Sequence, residues 1–153
     1  MWYRQGNYMK NEQLSFEKIK KLGIVPIKDK ENPLSYLKSI RLKTVLENYY
    51  TDKVAVKEII RKYDLPIDNV MDFHRYLPYY YTKVMCPYDG AKMCAAMPSR
   101  SNFKGYSPNV FCLECGHKKG TVCDCVNCQK ESNREKEKII AILDGIYKNS
   151  EIR

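Results

Sequence analysis

All seven cysteines of the chain fall between Cys86 and Cys128, in 43 of its 153 residues, together with His117, one of the two histidines. A segment of that size buries too little apolar surface to fold by itself. Cysteine at such short spacings supplies the missing energy by gripping a metal ion. Disulfides explain the pattern poorly. The count is odd, and Met1 is followed by WYRQGNYMKNEQ, which has no apolar core for export. The sequence therefore predicts a cytoplasmic chain with reduced thiols. No apolar run reaches membrane-spanning length, so no membrane partner is expected.

The spacings name the ligands. Cys112-Leu113-Glu114-Cys115-Gly116-His117 is a Cys-x2-Cys knuckle, with glycine where the turn needs a positive φ. Cys86-Pro87-Tyr88-Asp89-Gly90 has the same form, but Asp89 stands where the second cysteine belongs. Between them, AKMCAAMPSR, SNFKG and YSPNVF read as a β-hairpin. Knuckle, hairpin, knuckle resembles the zinc-ribbon family. Such ribbons draw two cysteines from each knuckle, so Asp89 is a departure. Cys94 competes with Asp89 for the fourth place and stands slightly ahead, because thiolate is the softer donor. Its plainer reading is a small buried hydrophobe.

The remaining donors, His117, Cys123, Cys125 and Cys128, form a common three-sulfur, one-imidazole set. Eight donors divide into two closed zinc sites. One is Cys86, Cys94 (or Asp89), Cys112 and Cys115; the other is His117, Cys123, Cys125 and Cys128. A rival partition places one zinc on Cys112, Cys115, Cys125 and Cys128. Four protein donors per ion leave no open position, so the metal is expected to be structural.

Ahead of the cysteines the pattern is helical. Ser15 caps a helix that Gly23 stops, a longer helix is predicted over 33–50, and short helices over 54–63 and 67–76 flank a break at Asp64, Leu65 and Pro66. VAVKEIIRKYDLP resembles the first helix and turn of a helix-turn-helix over 54–77. The resemblance implies DNA contact from Asn69, His74 and Arg75, although Asp68 and Asp72 on the same segment oppose phosphate. The competing reading is a compact helical support. His74, far from the cysteines in sequence, reads as a surface or half-buried side chain rather than a ligand. YLPYYYTKVM reads as a strand leading into Cys86. After Cys128 a helix is predicted from about Ser132, with Ile139, Ile142, Leu143 and Ile146 as an apolar stripe.

The expected architecture is thus a small α+β chain. A helical, helix-turn-helix-like domain (1–80) precedes a zinc-stabilised β-hairpin or ribbon module (81–130) and a C-terminal helix (131–153). Lys plus Arg outnumber Asp plus Glu by 27 to 18, a formal charge of +9. Seven thiolates and two zinc ions would lower it by roughly three units and leave it basic. That suits a nucleic-acid partner, DNA before RNA. Arg100, Lys104, Lys118 and Lys119, with the aromatics Phe103 and Tyr106, are candidate contacts; a solvated turn is the bland reading. The expected function is a zinc-containing nucleic-acid-binding protein, such as a DNA-binding regulator or a mobile-element or phage-related factor. The alternatives are a protein-interaction adaptor or a piece of a larger protein, with the C-terminal helix meeting a protein partner. No motif for phosphate-loop, zinc-protease, serine-hydrolase or deaminase chemistry occurs, so no catalytic residue is assigned.

Overall fold

The computed structural model describes residues 13–119 and 122–152. Trp2, Tyr3 and Tyr8, which the sequence leaves either packed back on the body or loose, lie outside them. The chain divides into two compact units. Residues 1–83 with 94–108 form the first, and 84–93 with 109–153 the second.

In the first unit, α1 (Phe16–Leu22) starts on Ser15, whose side chain accepts from the Lys18 N–H at 3.2 Å. The single helix expected over 33–50 is two elements. Pro33–Tyr36 is a 3-10 turn closed by the Asn32 side chain, and α2 (Ser39–Tyr50) begins after Leu37 and Lys38 take extended backbone. Helix α3 (Val56–Lys62) follows. It ends where Asp64 turns left-handed at φ 51 and the Leu65 N–H returns to the Ile60 carbonyl.

The second helix of the expected helix-turn-helix is not an α-helix. Val70–Tyr76 is a 3-10 helix capped by the Asn69 side chain, which accepts from the Met71 N–H at 3.0 Å. Its i, i+3 winding turns only Phe73 fully inward.

The core of this unit draws Phe16 and Ile19 from α1, and Val45, Leu46, Tyr49 and Tyr50 from α2. Ile59, Phe73, Tyr80 and Ala95 are among the other residues that join it. Phe16 stacks on Tyr50 at 4.7 Å, and Tyr50 meets Phe103 edge-on at 5.3 Å. The Tyr50 hydroxyl donates to the Pro98 carbonyl at 2.6 Å. Burial drives the Tyr50 hydroxyl far above its ordinary value and pushes Tyr80 up to about 12. Unfolded tyrosine ionises near about 10. A raised folded value means stability present below that point and lost as pH rises above it. Helical circular dichroism should therefore collapse between about pH 10 and 12; an unchanged spectrum at the upper end would contradict this packing.

Four strands, β1 (Tyr79–Met85), β2 (Lys92–Ala96), β3 (Val110–Phe111) and β4 (Lys118–Lys119), lie in that order in one sheet. Strands β3 and β4 are antiparallel, with Val110 opposite Lys119 and Phe111 opposite Lys118. The chain leaves the first unit within β1 and returns within β2. Helix α4 (Val126–Ile152) begins six residues before the expected start and runs for 27 residues. Among the described residues, no helix is long and apolar enough to cross a membrane.

Candidate metal centre

The second unit has little to hold it besides sulfur. Its buried cluster is Cys86, Met93 and Cys112, edged by Val84, Tyr88, Ala91, Val110 and Cys115. None of the seven cysteines is in a disulfide.

Two turns of one form supply the first donor group. After β1, the Cys86 N–H donates to the Ala91 carbonyl at 2.8 Å and the Gly90 N–H to the Cys86 carbonyl at 2.9 Å. After β3, the Cys112 N–H donates to the His117 carbonyl at 2.7 Å and the Gly116 N–H to the Cys112 carbonyl at 2.9 Å. Gly90 and Gly116 sit at φ +73 and +77, backbone that a side chain would strain. Asp89 therefore occupies the place that Cys115 holds in the other turn.

Cys86, Asp89, Cys112 and Cys115 each offer one donor atom, all within 4.8 Å of one another. The Cys86 and Cys115 sulfurs are 3.6 Å apart, and the Cys112 thiol donates to Asp89 Oδ2 at 3.2 Å. Edges of a tetrahedron around zinc run about 3.5–3.8 Å for sulfur and oxygen donors. The Ala91 N–H on Oδ1, at 2.9 Å, and then the Cys112 thiol hold the Asp89 carboxyl below its ordinary value. Burial pushes the Cys112 thiol up, a cost that a bound cation removes.

Cys94 is not in this group. It lies fully buried on β2 and clusters with the first unit, whereas the other six cysteines belong to the second. The sequence placed Cys94 slightly ahead of Asp89; the donor atom grouped with those of Cys86, Cys112 and Cys115 is that of Asp89. Donor softness favoured the thiol, but backbone geometry decides which side chain reaches, and the turn at 86–91 presents Asp89.

The second group is His117, Cys123, Cys125 and Cys128, again within 4.8 Å of one another. His117 Nδ1 stands 3.2 Å from the Cys128 sulfur and 3.8 Å from that of Cys125. Cys125 precedes α4 as its cap: its sulfur accepts from the Cys128 N–H at 3.4 Å, and its carbonyl from the Gln129 N–H at 2.9 Å. Cys128 lies in the first turn of α4. Backbone N–H groups of Cys125 and Lys118 lower the Cys123 thiol to about 6. The rival single-ion partition is not the observed grouping, since Cys112 and Cys115 join one group and Cys125 and Cys128 the other.

The candidate nucleic-acid contacts are dispersed. Lys118 and Lys119 are exposed on β4, next to His117. Lys104 is exposed in the first unit. Asn69 is spent on its cap, and Arg75 is exposed with its guanidinium 3.6 Å from Asp72. His74 is exposed, with Nδ1 2.9 Å from the Met71 carbonyl. Arg100 donates to the carbonyls of Tyr49 and Val54 and lies over the Tyr49 ring. Phe103 packs on the core, and the Tyr106 hydroxyl donates to the Ala96 carbonyl. Of that tip, Arg100, Phe103 and Tyr106 thus bond or pack within the first unit, and Lys104 is exposed. Arg100→Ala should destabilise the first unit by about 2 kcal/mol, because two charge-assisted bonds disappear; a thermal melt indistinguishable from wild type would refute that role.

The sequence reading passed over Tyr88 and Glu131. The Tyr88 hydroxyl donates to Glu131 Oε2 at 2.7 Å and lies 3.5 Å from the Cys128 sulfur. The one signal was a tyrosine inside a knuckle.

Two preformed groups of four donors, on a small scaffold of helices and a four-stranded sheet, define a module able to hold two metal ions. No family model, curated protein or solved structure matches the chain.

Proposed function

We propose that this chain is a structural zinc protein that binds nucleic acid, DNA before RNA. The observation that carries the metal is the pair of four-donor groups. Their donor sets, three sulfurs with one carboxylate and three sulfurs with one imidazole, suit zinc better than harder or octahedral ions. Eight protein donors leave no place for substrate, so each ion would act as a staple. Thiols and imidazole bind metal only without their protons. Metal should therefore leave as pH falls, which a zinc-sensitive dye in an acid titration measures; retention of both ions at pH 4 would contradict the assignment.

Support for nucleic acid is electrostatic. The chain carries +9, and six thiolates with two zinc ions lower that by only about two units. Lys118 and Lys119 stand exposed beside the second donor group. The helix-turn-helix resemblance no longer contributes, because its second arm is a 3-10 helix. Fluorescence anisotropy against random duplex DNA and single-stranded RNA, across a salt series, tests the reading. Affinity should fall steeply with salt, and Lys118→Glu with Lys119→Glu should weaken it about tenfold or more. Absence of binding at low salt would sink the proposal.

A protein-interaction adaptor is the second reading. Ile139, Ile140, Ile142, Leu143, Ile146 and Tyr147 on α4 are each more than half exposed. The same assay separates the two, since apolar contacts need not weaken with salt.

A further inference from the structure

We infer that the two donor groups fill with metal as a coupled pair and that Tyr88 carries the coupling. This rests on the metal-binding reading above. Tyr88 belongs to the first group by sequence, lying between Cys86 and Asp89, so an ion held by those two fixes its backbone. Its side chain belongs to the second group by contact. The ring meets the His117 ring edge-on, with centroids 5.0 Å apart and planes at 87°. The hydroxyl stands 3.5 Å from the Cys128 sulfur and donates to Glu131, one turn along α4 from Cys128.

The hydroxyl has one proton to give, to Glu131 or to the Cys128 sulfur; turned to the sulfur it orients that ligand, as outer partners of metal sites do. A second link runs the other way. The His117 carbonyl accepts the Cys112 N–H at 2.7 Å, so seating His117 on one ion closes the turn that presents Cys112 and Cys115 to the other. Each ion thus orders donors that its neighbour needs. The second ion meets ligands already in place, and its affinity rises by on the order of tenfold.

Zinc alone, added to metal-free full-length chain at one ion per chain, tests this by native mass spectrometry. Two independent sites, equal or unequal in affinity, leave at least about half of the chains holding one ion. Coupled sites leave well under half, with the remainder empty or doubly loaded. Tyr88→Phe keeps the ring on His117 and removes only the hydroxyl. It should still take two ions at saturation, while its singly loaded fraction rises above the wild-type value, the link through the His117 carbonyl remaining. Wild type at half or above, or a Tyr88→Phe distribution matching wild type, overturns the inference. Two ions that fill independently sink this inference alone; no zinc at saturation sinks the metal-binding reading and this inference with it.

Discussion

Chelation is expected to unfold the second unit and leave the first standing. The buried cluster of the second unit is three side chains, and two of them, Cys86 and Cys112, are themselves donors. Full burial of an apolar side chain gives about 1.5–3 kcal/mol. Structural zinc gives on the order of 10 kcal/mol in modules of this kind. The balance lies with the metal. The first unit has sixteen buried residues in one cluster and none of the eight proposed ligands. Thiol counting provides the readout. After a chelator is added, six cysteines should react quickly with a thiol reagent. Cys94, fully buried in the first unit, should react only when denaturant is added. Seven fast thiols would show that both units depend on metal, and fewer than six would show that the donors remain held without it.

The second large effect separates Asp89 from Cys94. Asp89→Ala removes one donor of four and should weaken the first ion by on the order of 100-fold or more, since even outer-shell losses reach that range. Cys94→Ala should retain two ions and lose only a little packing. Asp89→Cys should tighten the first site, because a fourth sulfur replaces oxygen. Cobalt substitution shows this directly, as sulfur-to-cobalt absorption grows with the number of thiolates. Loss of an ion in Cys94→Ala, with Asp89→Ala still holding two, would return the fourth place to Cys94.

The donors were legible because spacing is a covalent fact. Cys112-x2-Cys115 and Cys125-x2-Cys128 each bring two sulfurs to one ion in any fold that keeps the turn. The choice between Asp89 and Cys94 was not legible. It depends on the backbone of 86–91, where hydrogen bonds from Cys86 and Gly90 repeat those of 112–117. Donor softness says nothing about that path. Helical periodicity located α1 and α3, but it joined Pro33–Tyr36 to α2 because an apolar stripe does not register the extended backbone at Leu37 and Lys38. Periodicity also failed at Val70–Tyr76, since residues three apart share a side in both α and 3-10 winding. Arg100 looked like a phosphate contact because sequence shows charge and not its partners; the carbonyls of Tyr49 and Val54 come from a distant stretch of chain.

Helix α4 starts inside the second donor group, with Cys125 as its cap and Cys128 in its first turn. The ion would therefore grip the root of a rod about 40 Å long. Ile139 to Tyr147 lie roughly 20–30 Å out along it. A fixed root turns small angles into large displacements at that distance, so seating or losing a single ion there would decide whether the greasy end keeps one bearing or sweeps through many.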